Sequence, residues 1–135
     1  MADSLAAEIR KKWKPRKKQS HKGDYGRIFI LAGSLNYSGA AYLSGLSALR
    51  AGAGLVTLGV PDSIHTIVAR RQPELIVKPL RSNRDGSLSS KNTSQLLKFS
   101  KTQDVLAVGP GLSQNPDTQK LIQKLVQKVS APFVI

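Results

Sequence analysis

Short apolar runs separated by polar and glycine-rich segments dominate the pattern along the chain. Five runs of four to six residues, mostly Val, Ile, Leu, Ala and Phe, occupy residues 28–32, 55–60, 75–78, 104–108 and 132–135. Runs that are apolar throughout, without alternation at every second residue, are typical of strands buried on both faces. The pattern therefore predicts five strands of a largely parallel sheet.

Apolar residues at three- and four-residue spacing fill the intervals between these runs and predict helices over residues 39–50, 62–71, around 96–99 and 116–129. We expect Gly52 and Gly54 to end the first helix as left-handed caps and Asp62 to cap the second. A polar loop over residues 81–90 is expected to be the most mobile part of the core. The order β-α-β-α-β-α-β-α-β predicts an α/β fold with three layers, a mostly parallel sheet having helices on both faces.

Composition divides the 135 residues into a basic N-terminal arm (residues 1–20), with a short amphipathic helix over 4–12, and one α/β domain (residues 21–135). The absence of cysteine excludes disulfides, thiolate nucleophiles and cysteine metal sites, and we predict no metal ligands. No apolar stretch approaches the length of a membrane span, and no secretory signal is visible. We predict a cytoplasmic protein without a membrane partner.

The formal net charge of +13 is concentrated near the N-terminus, where nine Lys and Arg lie between Arg10 and Arg27 with Asp24 as the only acid among them. Such a run is most often a solvated arm, but it also suits polyanions such as nucleic acid, anionic lipid or nucleotide phosphates. Residues 11–18 also match a nuclear localisation pattern. Trp13 could stack on a base, or pack over the edge of the domain.

Two glycine-rich turns, at residues 33–39 and 109–111, each follow a predicted strand. At the helix entrance, Gly39, Ala40 and Ala41 have almost no side chain, so a phosphate or pyrophosphate could approach the backbone N–H groups. Alternatively, small residues there merely allow close packing of helix on sheet. The spacing matches neither the dinucleotide fingerprint nor a P-loop. If the two strands are neighbours, both turns line one pocket.

His21 precedes a second candidate contact, in which Lys22 stands beside the flexible Gly23 shortly before the first strand. A cation in that position could touch a substrate phosphate. The alternative role for this segment is to tie the basic arm to the sheet.

Five strings in this order, HKGDYGR, AGS, SGAA, LRAGAGLVT and VGPGL, resemble the ribokinase-like NAD(P)H-hydrate dehydratases, a family also described as carbohydrate kinases. The likeness runs from about residue 15 to residue 135 and stops short of the family's full length. It implies a truncated ribokinase-like fold and dehydration of hydrated NADH or NADPH driven by ADP or ATP with Mg²⁺. It also implies that Ala40 or Ala41, and Gly109 or Gly111, contact the dinucleotide substrate.

The family's histidine motif, its Lys-Gly nucleotide loop and its GTGD motif, whose aspartate is the expected base, are all missing from these 135 residues. We therefore expect no catalytic residue here and expect the chain to supply the dinucleotide side of the site while being inactive alone. A homo-oligomer or a complementary C-terminal half is the expected partner. The alternatives are a dinucleotide-binding protein without activity and a nucleic-acid-binding module that uses the basic arm.

Overall fold

The computed structural model describes residues 2–12 and 15–135. Five strands alternate with helices, and two short 3₁₀ turns cover Lys22–Tyr25 and Ser90–Asn92. The strands are β1 (Arg27–Leu31), β2 (Leu55–Pro61), β3 (Ile76–Leu80), β4 (Val105–Val108) and β5 (Phe133–Val134). The helices are α1 (Ala2–Lys12), α2 (Ser38–Arg50), α3 (Asp62–Ala69), α4 (Thr93–Ser100) and α5 (Pro116–Lys128).

All five strands are parallel and form one sheet in the order β3-β2-β1-β4-β5. β1 is central, and its Ile28 lies opposite Val56 of β2 and Val105 of β4. Along the chain, β2 and β3 are added on one side of β1, and β4 and β5 are then added on its other side. The strand order therefore reverses between β1 and β4, whose ends meet at the carboxyl edge of the sheet, the edge where the strands end. The strands begin at the opposite, amino edge.

Side chains of β1 and of the residue that follows it, Ala32, alternate between two separate cores, as period-two geometry requires. Ile30 and Ala32 face α2 and α3, whereas Phe29 and Leu31 face α4 and α5. The first core includes Ala41, Val56, Leu58, Ile64 and Val68, and the second includes Leu96, Leu106, Leu121 and Leu125, all of them buried. The predicted three-layer α/β architecture is confirmed.

Two of the expected caps have different roles in the structure. Gly52 has the left-handed φ of 103° that the pattern predicted, but Gly54 does not have a positive φ. A Cβ at Gly54 would lie 1.6 Å from the carbonyl oxygen of Lys22, so this glycine permits a close approach of two backbone segments. Asp62 is the first residue of α3, with Pro61 at the cap position, and its carboxylate accepts a hydrogen bond from the Ser82 hydroxyl.

The polar loop over residues 81–90 is packed more tightly than its composition suggested. Leu88 is fully buried, and Ser87 and Ser89 are buried beside it. The buried Asn92 side chain accepts from the N–H of Arg81 at 3.0 Å and donates to its carbonyl oxygen at 2.8 Å. The loop is therefore held by buried polar contacts, which a count of polar residues does not reveal.

The N-terminal segment meets the domain at the amino edge of the sheet. The Arg16 guanidinium lies 4.4 Å from the ring centroid of Tyr25 and donates to the carbonyl oxygen of Gly52 at 3.1 Å. The Tyr25 hydroxyl accepts from the N–H of Lys17 at 3.2 Å. Trp13 lies outside the described residues. Within those residues, no helix is long and apolar enough to cross a membrane.

Candidate functional site: a cleft between two glycine turns

The turns that follow β1 and β4 are joined by hydrogen bonds at the carboxyl edge of the sheet. The N–H of Gly33 donates to the carbonyl oxygen of Pro110 at 2.9 Å, and the Ser34 hydroxyl donates to that of Gly111 at 2.8 Å. β1 and β4 are neighbours in the sheet, so the condition under which both turns would line one pocket is met. In open α/β sheets, the point where the strand order reverses is the usual place for a ligand.

Gly111 lets the first turn of α2 approach the turn that follows β4. Its φ is +76°, and a Cβ there would lie 2.8 Å from the Cβ of Tyr37 and 2.9 Å from the Cβ of Ala40. Real Cβ atoms do not approach each other so closely, so a larger residue would push α2 away from β4. The contact between Gly111 and Ala40 therefore sets the width of the space between the two turns.

A cleft of about 620 Å³ opens between these turns, within the size range of small-molecule sites. The turn after β1 and the start of α2 form one wall, and the turn after β4 forms the other. The loop that follows β3 contributes one residue, Asp85. The lining residues are Ser34, Leu35, Asn36, Tyr37, Ala40, Asp85, Pro110, Gly111, Leu112, Ser113 and Gln114.

The structure brings Ala40 and Gly111 together in the lining of the cleft, whereas the other three predicted contacts, Gly39, Ala41 and Gly109, lie outside that lining. Gly39 is exposed in the first turn of α2, with open space where a Cβ would stand. Ala41 is fully buried in the core between α2 and the sheet. Gly109 has a φ of +98° and donates its N–H to the carbonyl oxygen of Leu31 at 2.8 Å.

Lys22 and Gly23 lie at the amino edge of the sheet and do not line the cleft. The five residues of β1 separate them from it, a length of about 16 Å. His21 caps this 3₁₀ turn, because its Nδ1 accepts from the N–H of Gly23 at 3.1 Å and its own N–H donates to Asp24 at 3.0 Å. The geometry fits the alternative role of tying the arm to the sheet, because the turn packs against Gly54.

Asp85 is a polar group of the cleft that sequence reasoning missed. Its carboxylate accepts hydrogen bonds from the Ser87 hydroxyl at 2.6 Å, from the Ser87 N–H at 3.1 Å and from the Asn115 amide at 2.8 Å. These bonds, above all the one from the Ser87 hydroxyl, lower the pKa of Asp85. In the sequence, the pair Asp85-Gly86 predicted only a turn, and no local pattern indicated that this turn lies beside Asn115.

The two helices that begin beside the cleft differ in whether a side chain accepts a hydrogen bond from an N–H group of their first turn. In α5, the Asn115 side chain accepts from the N–H of Asp117 at 2.8 Å, an ordinary helix cap. In α2, Tyr37 occupies the cap position and makes no side-chain hydrogen bond to the first turn. The Ala40 N–H donates to the carbonyl oxygen of Tyr37 at 3.2 Å, so the start of α2 leaves the N–H groups of Ser38 and Gly39 to a hydrogen-bond acceptor on a ligand.

The described residues do not supply a site for the Mg²⁺ that the resemblance implies. In residues 4–12 and 15–135, whose side chains the structure describes, no three His, Cys, Asp or Glu lie close enough together to hold a metal ion. Asp85 is the one carboxylate in the described lining of the cleft, and it is already held by Ser87 and Asn115. We therefore assign the nucleotide and its metal to no residue described in this structure.

The profile of the NAD(P)H-hydrate dehydratase family matches residues 28–135, which include both glycine turns and every residue that lines the cleft. This chain belongs to the NAD(P)H-hydrate dehydratase family. The resemblance noted in the sequence is thereby confirmed.

Curated relatives agree with this assignment. The chain is 40% identical over 117 residues to a bifunctional NAD(P)H-hydrate repair enzyme of Dictyoglomus turgidum, a match that covers 85% of the chain and 23% of the relative. It is 35% identical over 112 residues to an ADP-dependent (S)-NAD(P)H-hydrate dehydratase of Lactococcus lactis, covering 83% of the chain and 36% of that protein.

Solved structures show the same fold. An ADP/ATP-dependent NAD(P)H-hydrate dehydratase from Bacillus subtilis, co-crystallised with ATP and Mg²⁺, superposes with a TM-score of 0.66 at 28% identity, covering 90% of this chain and 40% of that one. A ribokinase-like superfamily protein from Enterococcus faecalis gives a TM-score of 0.70 at 25% identity, covering 85% and 37%. The fold is therefore ribokinase-like. The chain spans about 40% of these structures and about a quarter of the bifunctional relatives.

Proposed function

We propose that this chain forms the dinucleotide-binding side of an NAD(P)H-hydrate dehydratase and binds hydrated NADH or NADPH in the cleft between β1 and β4. The observation that carries the proposal is the contact of Ala40 with Gly111 at the point where the strand order reverses. It joins two separate family motifs, SGAA and VGPGL, in one cleft.

The chemistry of the cleft suits a dinucleotide. The first turn of α2 offers the N–H groups of Ser38 and Gly39, next to the lining of the cleft, to a pyrophosphate, and Ala40 leaves room for a phosphate to approach them. Leu35, Tyr37 and Leu112 provide apolar surface for a base or nicotinamide ring. Asp85 is ionised at neutral pH and can accept a hydrogen bond from a sugar hydroxyl or an amide.

We propose that dehydration also needs groups that this chain does not contain. The reaction is a hydro-lyase step driven by ADP or ATP with Mg²⁺, and the nucleotide must be held in line with an activated hydroxyl. The Lys-Gly loop and the GTGD aspartate that would do this in the family are absent from the sequence. We propose a complementary C-terminal half, or another copy of the protein, as the partner that completes the site.

Titration calorimetry with hydrated NADPH and hydrated NADH tests the binding role directly. The substitution Ala40→Asp puts a carboxylate in the lining of the cleft, where it would oppose the pyrophosphate by like charge and by bulk. We expect the affinity to fall by a factor of about ten or more. Ser47→Asp is the matched control, because Ser47 is exposed on the same helix and does not line the cleft. That variant should bind like the wild type.

Equal affinity in the Ala40→Asp variant and the wild type would place the ligand elsewhere on the protein. Tight binding of ADP without any binding of a hydrated dinucleotide would contradict the proposed division of roles. Circular dichroism of each variant separates a lost ligand contact from a lost fold.

A further inference from the structure

Positive charge is concentrated on the edge of the sheet that faces away from the cleft. The segments that leave the helices and enter the strands at the amino edge contain eleven Lys and Arg against three Asp and Glu, a net charge of +8. The segments at the carboxyl edge contain three basic residues (Lys or Arg) and three acidic residues (Asp or Glu), a net charge of zero. The amino-edge segments are residues 15–27, 49–55, 69–76, 98–105 and 127–133, and the carboxyl-edge segments are residues 31–39, 60–64, 79–94 and 108–118.

The three carboxylates of the amino edge do not neutralise these cations. Asp24 accepts from the N–H of His21 at 3.0 Å, Asp104 accepts from the N–H of Arg27 at 2.7 Å, and Glu74 accepts from the Gln72 amide. Among the side chains that the structure describes, no Lys or Arg forms an ion pair with a carboxylate. The charge of the amino edge is therefore available to a binding partner.

The carboxyl ends of the helices explain a part of this positive charge. Four helices end at the amino edge, and cations near helix carboxyl ends are favoured by the helix dipole. The helix dipole does not explain the five cations of residues 15–27, because this segment precedes β1 and belongs to no long helix. Arg16 is also held in place by Tyr25 and Gly52, so one cation of this surface is already ordered.

We infer that the amino edge is a binding surface for a nucleic acid, separate from the dinucleotide cleft. A dinucleotide in the cleft does not account for the charge, since the cleft lies at the other edge. An anionic membrane fits less well, because apolar side chains that insert strengthen binding at a lipid surface beyond the attraction of basic residues to anionic lipids. In the amino-edge segments, the exposed large apolar residue is Ile76.

The width of the sheet at its amino edge suits the backbone of a nucleic acid. Five strands about 4.8 Å apart set the two outer strands roughly 19 Å apart, a length that spans about five to six phosphates of one duplex strand. Exposed polar groups between the cations, such as Gln19, Gln127 and Ser130, supply neutral donors of the kind that contact phosphates and sugars. Binding of this type depends little on base sequence and strongly on salt.

Fluorescence anisotropy with labelled single-stranded RNA and duplex DNA tests this inference, in salt from about 50 to about 200 mM. The triple variant Lys17→Glu, Lys18→Glu, Lys22→Glu should bind at least about tenfold more weakly, with a shallower salt dependence. Its matched control at the carboxyl edge is Arg81→Glu, Arg84→Glu, Lys91→Glu. It changes the net charge equally, and all six side chains are exposed. We expect the control to weaken binding by less than about threefold.

Equal weakening by the two triple variants would overturn the assignment to the amino edge, and so would no binding of either probe at low salt. Binding to phosphatidylserine vesicles without binding to nucleic acid would also overturn it. If the glutamate variant loses its circular dichroism signal, the neutral variant Lys17→Gln, Lys18→Gln, Lys22→Gln replaces it with the same expected direction. None of these results depends on the dinucleotide cleft, which the Ala40→Asp variant tests separately.

Discussion

The two edges of the sheet present different chemical groups to a ligand. At the carboxyl edge, Gly111 and Ala40 bring backbone segments together, and the cleft between them has one carboxylate and no Lys or Arg in its described lining. At the amino edge, Lys and Arg side chains project from the segments between helices and strands. A ligand at the carboxyl edge would contact mainly the backbone and small residues of the two turns, whereas a ligand at the amino edge would contact Lys and Arg side chains.

If the cleft binds the dinucleotide as we propose, net charge is a poor guide to the position of the substrate site. The formal charge of +13 suggests a phosphate site among the cations, and Lys22 was the candidate. The cleft lies at the opposite edge, where helix N–H groups can serve a pyrophosphate without a basic side chain. The two edges can therefore be altered independently.

The largest effect we expect concerns catalysis at the carboxyl edge. The 135-residue chain alone should not dehydrate hydrated NADH with ADP or ATP, although we propose that it binds the dinucleotide. Loss of a general base alone removes a factor of about 10² to 10⁴, and the positioning of the nucleotide is lost with it. The recovery of absorbance from reduced nicotinamide measures the rate. Turnover comparable to that of a full-length relative would show that catalytic groups lie within this chain.

The next effect concerns the stability of the amino edge. Gly54→Ala would place a Cβ 1.6 Å from the carbonyl oxygen of Lys22, so the 3₁₀ turn must move away. We expect a loss of about 3 kcal/mol or more in the free energy of unfolding, measured by urea titration. Gly39→Ala at the other edge is the control, because nothing lies within 4 Å of its added Cβ. A loss of stability of the same size in both variants would contradict this account of Gly54.

A smaller effect is expected at Asp117, which holds the loop after β3 against α5. Its carboxylate accepts from the Ser89 hydroxyl at 3.0 Å, from the N–H of Ser90 at 2.8 Å and from the Ser90 hydroxyl. The bond from the Ser90 hydroxyl is the largest cause of the lowered pKa of Asp117. The substitution Asp117→Asn should cost about 1 kcal/mol at neutral pH, because the charge-assisted bonds become neutral ones.

The pH dependence of this cost follows from the direction of the pKa shift. A carboxyl group whose pKa is lower in the folded protein adds stability above its unfolded pKa of about 4, and this stability is lost as the pH falls through the folded pKa. The difference between the wild type and the Asp117→Asn variant should therefore shrink below about pH 4. Glu8→Gln on the exposed α1 is the control for loss of one carboxylate. A difference that stays constant from pH 7 to the acid range would refute the linkage.

The smallest effect is expected from deletion of residues 1–14. The described side chains of α1 are exposed from Ser4 to Lys12, and the contacts of Arg16 with Tyr25 and Gly52 stay in the shortened chain. The free energy of unfolding should change by less than about 0.5 kcal/mol. A large decrease in the midpoint of thermal unfolding would show that the deleted residues pack on the domain.

The sequence by itself determined the elements and the family of this protein. Uninterrupted apolar runs mark strands buried on both faces, and the observed strands lie within two residues of the predicted bounds. The family motifs are local strings whose spacing can be read directly. They identified both turns that form the cleft, and Ala40 and Gly111 lie in its lining.

Only the tertiary structure decided which elements meet. Strand order depends on pairing between distant segments, so the contact of β1 with β4 was a condition that the sequence left open. The same pairing brought Asp85 to Asn115, set Lys22 at the far edge and gathered the cations of five separate segments at one edge. Local patterns record which face of a strand is buried, whereas long-range packing selects the neighbour that covers it.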